Sequence, residues 1–218
     1  MGLGLALAGC VAATPSSPLT ANEHNDLGVT YFERGDAHRA VREFERAVAM
    51  RPDWARALVN LGDARLALGE REGAIEAYQR AVRIDPGDSA AANNLAWALL
   101  QDPARWPEAE AIIDGALAHH PEPRGYYLDT LGALRLKKGD NQGALEAFRA
   151  ALNDRALSRG ATRALVLEHL AETHARLGDP QAAARCRALA AAERAAPAAG
   201  STPRTGDVTP VGGRASVC

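Results

Sequence analysis

The stretch "NDLGVTYFERGDAHRAVREFERAVAMRPD" runs from Asn25 to Asp53, and "VNLGDARLALGEREGAIEAYQRAVRIDPGD" runs from Val59 to Asp88. Set side by side they share anchors offset by 34 residues: Leu27-Gly28 with Leu61-Gly62, Gly35 with Gly69, Ala40 with Ala74, Phe44 with Tyr78, Ala47 with Ala81 and Pro52 with Pro86. Self-similarity at a fixed period of this length marks a repeat architecture, whose single unit cannot bury its apolar face alone. Within a unit, small and apolar residues recur at helical spacing until Gly35-Asp36 interrupts them. The glycine suits the left-handed position that closes one helix, and the aspartate suits the cap of the next. Pro52 prevents simple continuation of the second helix, and Asp53 or Asp88 is placed to cap the unit that follows. Each unit is therefore predicted to be two antiparallel helices, crossing closely at Gly28 and Ala40.

Composition agrees with a helical array. The chain has 218 residues, 47% hydrophobic and 24% charged, which suffices for a large domain or a row of repeats. Only 5% of residues are aromatic and alanine is abundant, so burial must come from many close helix contacts. A net charge of −2 supplies no basic footprint for nucleic acid or an anionic membrane surface. The three cysteines, Cys10, Cys186 and Cys218, are scattered, without the paired spacings of a zinc site or a disulfide framework. Cys186, among alanines and arginines, reads as a small packing residue.

The anchors resemble the tetratricopeptide repeat, with its small residues at the eighth, twentieth and twenty-seventh positions and a proline near its end. The resemblance implies an all-α, right-handed superhelical solenoid of about five helix-turn-helix repeats. The first occupies 21–54 and the second 55–88. The third, 89–124, keeps Leu95-Ala96, Ala109, Ile113, Ala116 and Pro121, and accepts one extra residue where Pro103 and Pro107 rewrite the turn. The fourth, 125–158, restores Leu131-Gly132, Gly139-Asp140, Ala144, Phe148 and Ala151, with Ala156 where the family has proline. The fifth, 159–195, is degenerate: Arg187 replaces the bulky apolar residue of its second helix. A polar outer face is what a terminal repeat without a successor requires.

Such solenoids present an extended face for partners, and the resemblance implies that the first helix of each unit lines it. Counting by turns places Asn60, Asp63, Asn93, Asn94, Trp97, Tyr126, Asp129, Thr130 and Lys137 on that face, with Glu168 and His169 further along. Amides can serve an extended peptide backbone, and Trp and Tyr are enriched at interface hot spots. In the alternative reading, Trp97 packs between repeats and the asparagines bond to neighbouring helices. The family's carboxylate-binding clamp needs lysine and arginine where this chain has Asn25, Val29, Ala90 and Asn94. Only Asn60 agrees with it, so a receptor for chaperone tails is not expected.

No nucleophile, base and charge stabiliser converge in the sequence, so no catalytic residue, cofactor or metal is assigned. "HLAETH" at His169–His174 places its histidines five apart, whereas a helical zinc site needs them at i and i+4. A hydrolase acting through His169, Glu172 and His174 is the rival from another functional class.

At the N-terminus, Leu7-Ala8-Gly9-Cys10 resembles the lipobox of bacterial lipoproteins, which implies lipidation of Cys10. The apolar run Gly2–Gly9 is far short of the roughly 20 residues of a membrane span. No Lys or Arg precedes it, so the expectation is a true start further upstream or a trimmed sequence. Residues 1–20 are then a signal remnant and a flexible tether, and the Pro/Gly/Ser/Thr-rich 196–218 is expected to be a disordered tail. Val11 after the cysteine favours, by the same resemblance, the outer membrane with the repeats facing the periplasm. The expectation is a non-enzymatic scaffold binding a peptide or helix of a pilus, secretion or cell-wall assembly protein, contacting membrane through its lipid alone. The alternative is a cytoplasmic adaptor without lipid.

Overall fold

The structure is a computed structural model and describes residues 18–119, 124–154, 157 and 160–195. The expectations for Cys10, the tether and the C-terminal tail lie outside these residues. Ten α-helices succeed one another among the described residues: α1 (Ala21–Glu33), α2 (Ala37–Met50), α3 (Ala55–Ala67), α4 (Arg71–Ile84), α5 (Ser89–Leu99), α6 (Trp106–His119), α7 (Gly125–Lys138), α8 (Asn141–Leu152), α9 (Ala161–Arg176) and α10 (Pro180–Ala195). They pair as five antiparallel hairpins stacked in chain order, an all-α solenoid.

Local chemistry sets the boundaries. Gly35, Gly69, Gly139 and Gly178 adopt φ near +80°, so each ends the first helix of its hairpin where a side chain would be strained. After three of them the next residue caps the second helix: Asp36 accepts from Arg39 N–H, Asp140 from Gly143 N–H and Asp179 from Ala182 N–H, whereas Glu70 makes no such bond. Asp88 caps α5 through two backbone N–H groups, but Asp53 does not cap α3. The residue at the head of α3 is Trp54, whose ring lies 3.7 Å beneath the Arg51 guanidinium, a stacked cation in place of a cap. In the third unit Asp102 caps a 3₁₀ turn over Pro103–Arg105, and Trp106 donates from Nε1 to Leu100 O.

The hairpins close on one contact. A Cβ at Gly28 would stand 2.6 Å from the Phe44 ring, at Gly62 2.4 Å from Tyr78, and at Gly132 2.5 Å from Phe148. All three rings are essentially fully buried, so each aromatic occupies the volume a side chain on the facing helix would need. Where the ring is replaced, the glycine goes too: Ala96 faces the unit with Ile113, and Ala171 the unit with Arg187. Arg187 is exposed on α10, the outer face of the terminal hairpin.

Apolar clusters run the length of the stack. One joins the first two hairpins and continues to Ala91, one joins the second and third, and the largest spans the third to the fifth. Val82 packs against all three, so the core is continuous although each hairpin touches mainly its neighbours. Cys186 is fully buried in α10. No helix of the described residues is long and apolar enough to cross a membrane.

Candidate functional site: the row of first helices

The first helices α1, α3, α5, α7 and α9 contact one another in succession, whereas the second helices contact chiefly their own partners and the next first helix. A stack held closer on one side must curve toward that side, so the first helices form its inner face. Side chains of the turns predicted from sequence lie along this row.

Most of them bond to each other from one repeat to the next. Asn60 Nδ2 donates to Asn25 Oδ1 at 2.9 Å, tying α3 to α1. Asn94 Nδ2 donates to Asp63 Oδ1 at 3.0 Å, tying α5 to α3. Thr130 donates to Asn93 Oδ1 at 2.9 Å, tying α7 to α5. His169 Nδ1 meets Asp129 Oδ1 at 2.8 Å, tying α9 to α7. Every junction thus carries a bond between two side chains, and the row is a ladder of four rungs. The asparagines follow the inter-helix alternative weighed from sequence, and Thr130, only 2% exposed, is enclosed by its bonds to Asn93 and to Tyr126 O.

The aromatic residues are placed differently. Trp97 is 37% exposed and Tyr126 41%, both on the row. Ser89, Ala90, Asn93, Asn94, Tyr126 and Tyr127 line a cleft of about 290 Å³ between α5 and α7. Tyr127 forms its buried wall and donates from its hydroxyl to Ser89 O at 3.1 Å. Burial, reinforced by the charge of Asp88, pushes its phenol up to about 12, so it stays a neutral donor. Lys137 is exposed in the last turn of α7, where a cation meets the negative helix end.

Asp63 and Asp129 are the two carboxylates of the ladder, and their surroundings differ. Asp63 Oδ1 accepts from Tyr78 Oη at 2.6 Å as well as from Asn94. Burial raises its pKa, and the bonds from Tyr78 and Asn94 offset only part of that. The same burial, with the Asp63 charge, drives the Tyr78 hydroxyl upward. Asp129 instead faces His169, whose ring also lies 5.2 Å from that of Phe148. Burial opposes the imidazolium, yet the bond and charge of Asp129, aided by Glu172 and Glu168, raise the pKa of His169 above its ordinary value.

The residues of the rival hydrolase are each engaged elsewhere. His169 is held by Asp129, Glu172 pairs with Arg176 at 2.5 Å, and His174, 5% exposed, stands 3.9 Å from Asp179. Glu168 pairs with Arg194 at 2.5 Å, fastening α9 to α10. No group of three or more His, Cys, Asp or Glu able to hold a metal occurs among the described residues.

Asn25 and Tyr78, which bond into the ladder, were not placed on the face from sequence. Asn25 reads as a first-helix position, but its burial at 5% shows only once α3 packs against it. Tyr78 reads as core through its ring, and nothing in the spacing shows that its hydroxyl reaches Asp63.

Models of the tetratricopeptide repeat match residues 25–89 and 71–131. Residues 25–131 carry tetratricopeptide repeats. The Hsp70-Hsp90 organizing protein of Triticum aestivum is 33% identical over 86 residues, covering 38% of this chain and 15% of that protein. The chain spans between 12% and 35% of the length of the curated relatives it matches. Among solved structures, PilW, described as a widely conserved type IV pilus biogenesis factor, superposes with a TM-score of 0.68 at 22% identity, covering 79% of this chain and 78% of that one. A thermophilic tetratricopeptide repeat protein of Thermus thermophilus superposes with a TM-score of 0.69 at 21% identity, covering 80% and 91%. At these identities the superpositions establish a shared fold.

Proposed function

We propose that this chain is a non-enzymatic scaffold of the bacterial envelope, lipidated at Cys10 and held at the outer membrane with its repeats facing the periplasm. Its inner face receives a peptide or helix of an envelope-assembly partner, from pilus, secretion or cell-wall machinery. The observation that carries the binding reading is the pair of exposed rings: Tyr126, which lines the cleft with Asn93 and Asn94, and Trp97, one helical turn beyond Asn94 on α5. Large aromatics left half in water on an inner face are the residue types that anchor interfaces. Since the amides are already bonded between helices, the rings supply the contact area and the ladder keeps the face rigid. The envelope placement is supported by the resemblance of Leu7-Ala8-Gly9-Cys10 to a lipobox.

In-cell crosslinking with partner identification tests the face, comparing wild type with a triple variant at Asn94, Trp97 and Tyr126. Recovery of the same partners in equal yield would remove the aromatic cleft from the proposal. Incorporation of labelled fatty acid, abolished by Cys10→Ala, tests the anchor. Its absence in the wild type would favour the cytoplasmic adaptor.

A further inference from the structure

Asp63 stands near the middle of the ladder without a counter-ion. Its Oδ1 is shared by two neutral donors, Tyr78 and Asn94. Among the described residues both of its hydrogen bonds go to Oδ1 and none to Oδ2, and the residue is only half-buried. No cationic side chain pairs with this carboxylate among those residues, whereas its ladder counterpart Asp129 has His169. Arg56 is seven residues earlier on α3, about 10 Å along the helix axis and beyond ion-pair reach. Trp97 lies one turn past the Asn94 that touches Asp63, so it shares that face of α5, and its ring is exposed. A half-buried carboxylate with an exposed indole one turn further along the facing helix has the two elements that hold an organic cation: an opposite charge and a π face.

Building on the reading of this face as a peptide site, we infer that Asp63 anchors a lysine or arginine side chain of the partner, so that the segment bound is basic and amphipathic. Bringing a cation to Asp63 supplies the charge partner its surroundings lack, and apolar residues of the same segment meet Trp97 and Tyr126. This polarity is opposite to that of a clamp that grips carboxylates, whose basic residues are absent here.

Calorimetric titration of the purified full chain with a 14-residue Leu/Lys amphipathic peptide, and with its Leu/Gln analogue, tests the inference. The wild type is expected to bind the lysine peptide about tenfold more tightly. Asp63→Asn, which keeps an acceptor for Tyr78, is expected to reduce that affinity to the glutamine value, and Asp53→Asn, at an exposed acid elsewhere, to leave it unchanged. No preference in the wild type, no binding of either peptide at millimolar concentration, or a preference that survives Asp63→Asn overturns it. The double variant Trp97→Ala, Tyr126→Ala separates the two readings. If it leaves both affinities unchanged while Asp63→Asn removes the preference, the cation anchor stands and the aromatic cleft fails. If it weakens both peptides while Asp63→Asn does nothing, the cleft stands and the anchor fails.

Discussion

His169 on α9 and Asp129 on α7 meet at 2.8 Å with both side chains largely covered, and this is the rung of the ladder that changes charge near neutral pH. The groups facing the imidazole are Asp129 from α7, Glu168 and Glu172 from its own helix, and the Phe148 ring from α8. Because the folded-state pKa is raised, the stabilisation is fully present below the unfolded value of about 6.5 and is lost as pH rises through the folded value. The junction of the fourth and fifth hairpins should loosen as pH rises above about 6.5 and through the raised folded-state value, with faster amide exchange in α9 and α10. His169→Gln should abolish that pH dependence and cost roughly 1 to 2 kcal/mol at pH 6. An exchange profile for α9 that is as pH-dependent in the variant as in the wild type would sink the assignment.

Two helical glycines should respond to alanine in opposite directions. At Gly62 a Cβ would stand 2.4 Å from the buried Tyr78 ring, so the helices must part, and Gly62→Ala should destabilise by about 1 to 3 kcal/mol. At Gly115 a Cβ would meet nothing within 4 Å, and Gly115→Ala should stabilise by up to about 1 kcal/mol through helix propensity. Chemical denaturation of the two variants decides it, and equal effects would mean that the crossing is not limited by the ring.

This contrast also shows what the sequence could and could not convey. The fold was legible because a repeat writes its constraints many times over: Gly35, Gly69, Gly139 and Gly178 all end a helix, and Gly28, Gly62 and Gly132 all face a ring. Counting by turns along the helices that the resemblance puts on the inner face also placed Asn60, Asp63, Asn93 and Asn94 there. Which of them would find partners was not legible, because a rung joins residues 31 to 40 apart on helices whose relative rotation is set by packing. Asp53 misled for a related reason: a residue suited to capping loses the position when a neighbouring stack, Arg51 on Trp54, sets the entry of the helix.

The first rung should behave as a coupled pair. Asn25 is 5% exposed, and Asn60 is its amide donor from α3. Asn60→Ala should leave the Asn25 oxygen buried without that donor, costing about 1 to 2 kcal/mol, and Asn25→Ala should cost a similar amount. In a double-mutant cycle the coupling should be about 0.5 to 1.5 kcal/mol. Strict additivity would mean that the bond contributes nothing beyond the packing of each residue.

Asp63 should trade stability for its free oxygen. Burial raises the folded-state pKa of this carboxyl, so the folded protein favours the protonated form. The sign follows: the advantage is present below the unfolded value of about 4 and is lost as pH rises through the folded value, leaving the ionised carboxylate a burden at neutral pH. Asp63→Asn removes the charge and keeps an acceptor for the Tyr78 hydroxyl, so at pH 7 the variant should be more stable by up to about 1 kcal/mol. That corresponds to a rise of roughly 2 to 4 °C in melting midpoint. Toward pH 4, where the wild-type carboxyl takes up its proton, the two midpoints should converge. A variant that melts lower than the wild type at pH 7 would mean that the bonds from Tyr78 and Asn94 to the charged form outweigh its desolvation, and that Asp63 is held in place for the ladder alone.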